Sequence, residues 1–482
     1  MTRYRVWIGA STIDVALRLA AQLAGSVVLA RILTPEEFGL ATMALVVVTV
    51  MAALLGLPFE ESISQRPRLR TAHLETVLAA SFALTLAGVA GVAAAGPLVE
   101  AATGTPGFAA VLLVASLFLF AEGPRAIYRG TARRTRRFVD LAVCQAAAQV
   151  LASAAAIAAG IWGLGVYALV IQRMLPNLLH PVLGGLIWAW RGRRVWIAPR
   201  WHRARFREVA RFSTLHLADV SVLTATPAVL AFLVNGAFGT AALGQLNVAL
   251  RIVDPLRSGL LGIGHNLAFS ALVGKQDRPG ALASAAGSIG AGVAVIVMPA
   301  FVGLAATAPV LLPILVGPGW EAAVPLSQIL CLAVAASLPL RVFHTGFLAL
   351  GRPEYNLMAS TLGMVALVAA FVAAHRVGLP HVAGVAFLAG EAALAAFVLA
   401  VAWRLADGGV PGALARMARV AGASAVMALA VSRLGGTGEP SLALLARMVA
   451  LGVVVFAGAL AVTCPACMRE TLRLVRPRVG AG

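Results

Sequence analysis

Apolar runs of about twenty residues follow one another along almost the entire chain, and this leaves very few folds open to it. Between Arg70 and Arg125 the only acidic side chains are Glu75, Glu100 and Glu122, and no lysine or arginine occurs. A bilayer accepts such a stretch, provided that every backbone amide and carbonyl is bonded within the segment, which a helix achieves alone. The composition agrees: 60% hydrophobic residues, a mean hydropathy of +0.91 and 12% charged residues, about half the charged share of soluble domains. The chain therefore reads as an all-α polytopic membrane protein of about fourteen transmembrane helices. The expected spans are 6–33, 38–57, 75–96, 107–127, 138–160, 164–190, 209–234, 240–272, 281–305, 322–350, 355–375, 381–405, 414–434 and 442–463. The first run carries Asp14 and Arg18 and lacks a small-residue cleavage pattern, so it is expected to remain as a helix.

The turn between the first two runs is chemically explicit. Pro35 cannot continue a helix, and it biases Thr34 away from helical geometry. Thr34 is then a cap for the next helix, Pro35 its first residue, and Glu36 and Glu37 favourable charges in its first turn. Charge in the other loops sets an orientation. Basic residues gather in alternate loops: around Arg3, Arg66, Arg129, Arg200, Lys275, Arg352, Arg416 and Arg473. The intervening loops carry Glu36, Glu37, Glu100 and Glu321. The positive-inside rule places the basic loops and both termini in the cytoplasm. Glu60, Glu61 and Gln65, next to the second span, read as a solvated loop face.

A net charge of +19 would also suit a nucleic-acid ligand, but its confinement to membrane-edge loops argues against one. The basic segment from Arg191 to Arg211, with Trp190, Trp196 and Trp201, reads as an interfacial linker on anionic lipid. It separates two blocks of six spans. Phe38-Gly39-Leu40-Ala41 aligns with Leu243-Gly244-Gln245-Leu246, and the same offset sets Asp14 over Asp219. Since six is even, both blocks cross in the same sense, as a parallel repeat about an axis along the membrane normal. The expected organisation is a six-helix bundle over 1–190, a linker over 191–208, a second bundle over 209–405, and two additional helices with a basic tail over 406–482.

No HExxH, GxSxG or phosphate loop occurs, so neither an enzyme nor a bound metal or cofactor is implied. Cys464 and Cys467 form a lone CxxC, which without a second pair or a thioredoxin-like setting does not read as a metal or redox site. Charge inside the spans stands out instead. Asp14 and Arg18 lie one turn apart in the first span, Arg173 interrupts the sixth, and Asn247, Arg251, Asp254, Ser258 and His265 form a stripe on the eighth beside Arg257. Arg341 and His344 sit in the tenth and Glu391 in the twelfth. Each such charge costs ~2.5–3.5 kcal/mol on insertion scales, so it should face a wet cavity or a partner. Two readings follow: neutral pairs such as Asp14 with Arg18 and Arg251 with Asp254, or a cationic cavity whose guanidinium groups grip phosphate.

Ala30-Arg31-Ile32-Leu33-Thr34-Pro35-Glu36-Glu37-Phe38-Gly39 resembles the N-terminal signature of bacterial polysaccharide flippases, which export O-antigen and exopolysaccharide units. These belong to the multidrug, oligosaccharidyl-lipid and polysaccharide exporter superfamily. Gly163-Leu164-Gly165-Val166-Tyr167-Ala168-Leu169, Leu315-Val316-Gly317-Pro318-Gly319-Trp320 and Ala349-Leu350-Gly351-Arg352-Pro353 extend the resemblance, from about residue 5 to 405. It implies a flippase for a polyprenyl-diphosphate-linked oligosaccharide in the bacterial inner membrane, working by alternating access. Arg18 and Arg173 from one half, with Arg251, Arg257 and Arg341 from the other, are the expected diphosphate ligands. Asp14, Asp219 and Asp254 are expected to pair charge or carry a coupled cation. Expected partners are the lipid-linked glycan, membrane lipids, and a polysaccharide polymerase and glycosyltransferases. The alternatives are a peptidoglycan lipid-precursor flippase or a multidrug antiporter of the same superfamily. An integral-membrane glycosyltransferase is more distant, because every outward loop is short.

Overall fold

The Thr34–Pro35 elbow forms as its chemistry dictates. The N–H of Thr34 donates to Glu37 Oε2 at 2.9 Å, and the N–H of Glu37 donates to Thr34 Oγ1 at 3.3 Å. This reciprocal capping box ends α1 (Thr2–Ile32) and starts α2 (Pro35–Gln65). The structure, a computed structural model, describes residues 2–65, 69–135, 137–192, 197–272, 279–350, 352, 354–405, 410–434 and 439–465. Within these, the side chains of 2–16, 57–58, 61, 65, 207–220, 262–271, 279, 348–349 and 434 are not described.

The elements that follow are α3 (Thr71–Thr103), α4 (Phe108–Leu117), a 3-10 turn (Phe118–Ala121), α5 (Glu122–Arg134), α6 (Phe138–Ile161) and α7 (Val166–Trp190). Then come α8 (Arg203–Leu272), α9 (Pro279–Val316), α10 (Ala323–Ser337), a second 3-10 turn (Leu338–Arg341) and α11 (Val342–Ala349). The last are α12 (Glu354–Val377), α13 (Val382–Leu405), α14 (Val410–Leu434) and α15 (Leu442–Thr463). No strand occurs among the described residues. Eleven helices there are long and apolar enough to cross a membrane, three fewer than the fourteen expected; one of these windows, 221–261, runs through a break in α8. That break is at Gly239, whose φ of 80° and ψ of 178° belong to a region that glycine alone populates readily. Outward faces are apolar as lipid requires: Val453, Val454 and Val462 of α15 are 64%, 69% and 83% exposed.

The chain divides into two compact units, Met1–Asn247 and Val248–Gly482. In the first, α2 packs on α5 and α7, and α1 on α6, where Gln172 Nε2 of α7 donates to the Gln22 carbonyl of α1 at 3.2 Å. Two backbones in this unit approach unusually closely. A Cβ at Gly39 would lie 1.8 Å from the Thr240 carbonyl oxygen, and a Cβ at Gly244 would lie 1.9 Å from the Pro35 carbonyl oxygen. The contact is reciprocal, since Gly39 and Gly244 stand 205 residues apart and so do Pro35 and Thr240. The elbow at Pro35 thus lies against the turn at Thr240, to which the 205-residue offset of the sequence alignment also leads.

In the second unit, α9 packs against α10 and α14, and α12 against α13, around Leu272, Ala286, Val295, Phe343, Leu394 and Val398. Each unit has one span interrupted by a 3-10 turn, and each turn is held from a neighbouring helix. Thr85 of α3 donates to the Leu119 carbonyl at 3.4 Å, while Gly290 of α9 lets the Pro339 carbonyl come within 2.8 Å of where a Cβ would stand. Thr85 and Gly290 are again 205 residues apart.

Two expectations about helix ends are corrected. The second span runs on to Gln65, and the helix after the first 3-10 turn runs on to Arg134. Glu60 is consequently buried at 2% exposure, where a solvated loop was expected. The physical reason is charge pairing: Arg129 and Arg133, one turn apart on α5, both reach it.

Candidate functional site

The second unit gathers charges from three distant parts of the sequence. Glu391 is buried in the middle of α13, whose other charged residue is Arg404 in the last turn. Nη2 of Arg341 donates to its Oε1 at 2.7 Å and to its Oε2 at 2.9 Å, and Nη2 of Arg257 donates to Oε1 at 3.0 Å. Arg341 is the last residue of the 3-10 turn, so the altered pitch there sets where its guanidinium lies. Arg257 has two further neighbours: its Nη1 is 3.7 Å from Asp254 Oδ1, and its guanidinium lies 5.8 Å from the centroid of the Phe387 ring. Phe387 is one turn before Glu391 on α13, which gives Arg257 an aromatic face beside its anion. Arg341 Nε and His344 Nε2 are buried and have no hydrogen-bond partner among the described residues.

The first unit holds a second charged group, between α2 and α5. Glu60 forms ion pairs with Arg129 Nε at 3.1 Å and Arg133 Nη1 at 2.9 Å. Glu122, fully buried at the start of α5, accepts from Arg125 Nε at 3.0 Å and also from Arg125 Nη2. Gly56 of α2 makes room for this carboxylate, since a Cβ there would stand 2.6 Å from Glu122 Oε2. Beside the group, Tyr128 donates its hydroxyl to Cys144 Sγ at 3.4 Å and meets His180 edge-on at 5.1 Å. Below this layer, Arg191 Nη1 donates to Asp140 Oδ2 at 2.5 Å, and that carboxylate raises the Arg191 pKa above its ordinary value. Among the described residues no cluster of His, Cys, Asp or Glu is arranged to hold a metal ion.

The structure thus brings Arg257, Arg341 and Asp254 together around Glu391. Arg251 lies half-buried on α8, one to two turns before Arg257. In the first unit Arg18 lies half-buried on α1 and Arg173 lies exposed on α7, next to the Gln172 that ties α7 to α1. The side chains of Asp14, Asp219 and His265 lie outside those described, as does Cys467. Sequence reasoning noted Glu391 only as an isolated charge and passed over Glu122. The spacing of Arg125, Arg129 and Arg133 at every fourth residue was the available signal, since it marks one face of a helix rather than a loop.

Several solved structures share this fold. A structure described as lipid II flippase MurJ in an inward closed conformation has a TM-score of 0.75 at 12% identity, covering 98% of this chain and 100% of that one. An inward-facing multidrug resistance MATE family transporter of the MOP superfamily has a TM-score of 0.58 at 14% identity, covering 84% and 98%. The MATE multidrug transporter DinF-BH has a TM-score of 0.55 at 16% identity, covering 84% and 95%. At these identities the likeness is one of fold. No curated protein gives a significant match. The family model described as polysaccharide biosynthesis protein matches residues 28–325, more than half of the chain. With its apolar spans and its capped elbow, the chain belongs to the polysaccharide biosynthesis protein family of multi-pass membrane proteins.

Proposed function

We propose that this protein is a flippase that moves a polyprenyl-diphosphate-linked oligosaccharide from the cytoplasmic to the outer leaflet for cell-surface polysaccharide synthesis. The observation that carries this reading is membership of the polysaccharide biosynthesis family in a chain whose apolar spans hold Arg18, Arg173, Arg251, Arg257 and Arg341 away from their ends. Guanidinium groups bind phosphate through parallel hydrogen bonds, and the diphosphate, like the glycan, cannot cross hydrocarbon alone. The glycan shares the aqueous cavity with it, while the lipid tail stays in the bilayer. Access alternates as the two halves rock, and the protein transports without catalysing a reaction. An inside-negative potential favours outward movement of an anion by ~2.3 kcal/mol per charge per 100 mV. Asp14, Asp219 and Asp254 are the candidate carriers of a coupled cation. The setting is a bacterial inner membrane with both termini cytoplasmic, next to the glycosyltransferases and polymerase that build and consume the unit.

A peptidoglycan lipid precursor is the second substrate reading, favoured by the likeness to MurJ over 98% of the chain. The deciding experiment measures membrane abundance and surface polysaccharide side by side for Arg18→Ala, Arg251→Ala and the double variant. Normal abundance with lost export is the expected result, with lysine rescuing only partly because it lacks the planar fork. Full export from a well-expressed double variant would overturn these ligands. Rescue of a strain lacking its peptidoglycan-precursor flippase would favour the second substrate.

A further inference from the structure

The cluster around Glu391 has a bland explanation: Arg257 and Arg341 carry two positive charges, Glu391 and Asp254 two negative ones, and the set is neutral. Neutrality accounts for the charges but not for how the donors are used. Arg341 offers a planar fork, yet Glu391 takes only Nη2 of it, bonding both its oxygens to that one nitrogen. The neighbouring Nε is buried and has no partner among the described residues, and so is Nε2 of His344, three residues further along. His344 lies near enough to interact electrostatically with both Arg341 and Glu391. Buried donors are as a rule satisfied, so these two open nitrogens leave room for a further acceptor. Here a planar carboxylate with two oxygens sits among more hydrogen-bonding nitrogens than it uses.

A phosphate group fits that surplus. Its terminal oxygens point along tetrahedral directions, so one can accept from Arg341 Nη2 and another from Nε, while Arg257 and His344 bond a third; the His344 bond needs the tautomer protonated at Nε2. Arg257 is also equipped to lose Glu391, because Asp254 and the Phe387 ring remain beside it. Arg341 closes the 3-10 turn, which fixes where its guanidinium lies.

We infer that Glu391 is a built-in stand-in for substrate: it occupies the Arg257–Arg341 pair in the empty protein, and a phosphate of the incoming headgroup exchanges with it. The inference rests on the diphosphate reading given above for the identity of the headgroup. It assigns Glu391 a role that opposes binding, which distinguishes it from an ordinary ligand. Its purpose is affinity control. A carrier that gripped its anion with two unopposed guanidinium groups in a low-dielectric site would release it slowly, and an internal competitor restores release.

The test measures binding of farnesyl diphosphate to the purified full-length protein in detergent, with farnesol as the control for the lipid tail. Glu391→Asp keeps the charge but shortens the reach by one methylene, and is expected to raise farnesyl diphosphate affinity several-fold. Glu391→Gln removes the competing charge and is expected to raise it tenfold or more. If Glu391→Gln accumulates poorly, Glu391→Asp carries the result. Arg341→Gln should abolish the gain when combined with either. Farnesol affinity should not move. Unchanged or weaker farnesyl diphosphate binding by a folded Glu391→Asp protein would overturn the inference. The outcome separates from the transport reading. Tighter binding without any glycan export by the wild type leaves the exchange standing and removes the flippase function. Normal export with unchanged affinities does the reverse.

Discussion

Replacing Gly39 by alanine tests whether the reciprocal elbow contact is a true backbone-to-backbone packing point. The new methyl carbon would stand 1.8 Å from the Thr240 carbonyl oxygen, whereas a carbon and an oxygen in contact sit at about 3.3 Å. The two elbows must therefore part by roughly 1.5 Å, and neither obstacle is a flexible side-chain tip that can rotate away. Overpacking of this kind costs about 1–3 kcal/mol, and a rigid backbone obstacle puts it near ~3 kcal/mol. Gly244→Ala meets the Pro35 carbonyl at 1.9 Å and should cost the same. The double variant should cost much less than the sum, because elbows already parted for one methyl group have room for the other. Gly91→Ala is the control, since nothing lies within 4 Å of a Cβ there. Unfolding in mixed micelles titrated with dodecyl sulfate, followed by tryptophan fluorescence, gives the four free energies. A loss below ~0.5 kcal/mol for Gly39→Ala, or strict additivity in the double variant, would refute the reasoning.

Thr34→Ala removes one half of the capping box and should cost ~1 kcal/mol in the same assay. Glu60→Gln leaves the Arg129 and Arg133 charges without their anion, so membrane abundance should fall with a loss of ~3–5 kcal/mol; adding Arg129→Gln should restore part of it. Glu321, in the loop before α10, accepts from the Gly319 N–H at 2.9 Å, and this holds its carboxyl below the ordinary value. Because the folded pKa is depressed, the stabilisation is present above the unfolded carboxylate value and lost as the pH falls through the folded one. The stability difference between wild type and Glu321→Gln should thus shrink on acidification below about pH 4.5, measured by unfolding at a series of pH values. Reporter fusions after Arg70 and Arg200 should score on one side of the membrane and fusions at Glu37 and Glu100 on the other; a reversal of any pair would upset the orientation.

Much of the fold could be read from the sequence because its determinants are local. The apolar runs fold as helices, and the Thr34-Pro35-Glu36-Glu37 elbow carries its whole cap within four residues. The likeness of Phe38-Gly39 to Leu243-Gly244 also had physical content, since those two glycines are where the elbows touch. The charged groups were less legible. Glu391 meets Arg257 across 134 residues and Arg341 across 50, and no periodicity predicts which buried cation a buried carboxylate will find. Arg257 stands beside Asp254 at 3.7 Å, a neighbour that the helical wheel did not single out. Glu60 was misread for a different reason: a polar residue at the end of an apolar run resembles a loop until the helix opposite is seen to present two arginines to it.

The two 3-10 turns give each unit a change of gear within a span. A 3-10 helix advances about 2.0 Å and 120° per residue, against about 1.5 Å and 100° for an α-helix. Four residues at the tighter pitch, as at Leu338–Arg341, make the chain roughly 2 Å longer and rotate whatever follows by roughly 80° relative to an unbroken rod. Rewinding such a turn into α-helix would swap one set of backbone hydrogen bonds for another without breaking the chain's internal pairing. The lower part of the span would then move as a screw, and the side chains past the turn, Arg125 in one unit and His344 in the other, would sweep about its axis. Motion at this depth needs no loop and no water, only a change in winding.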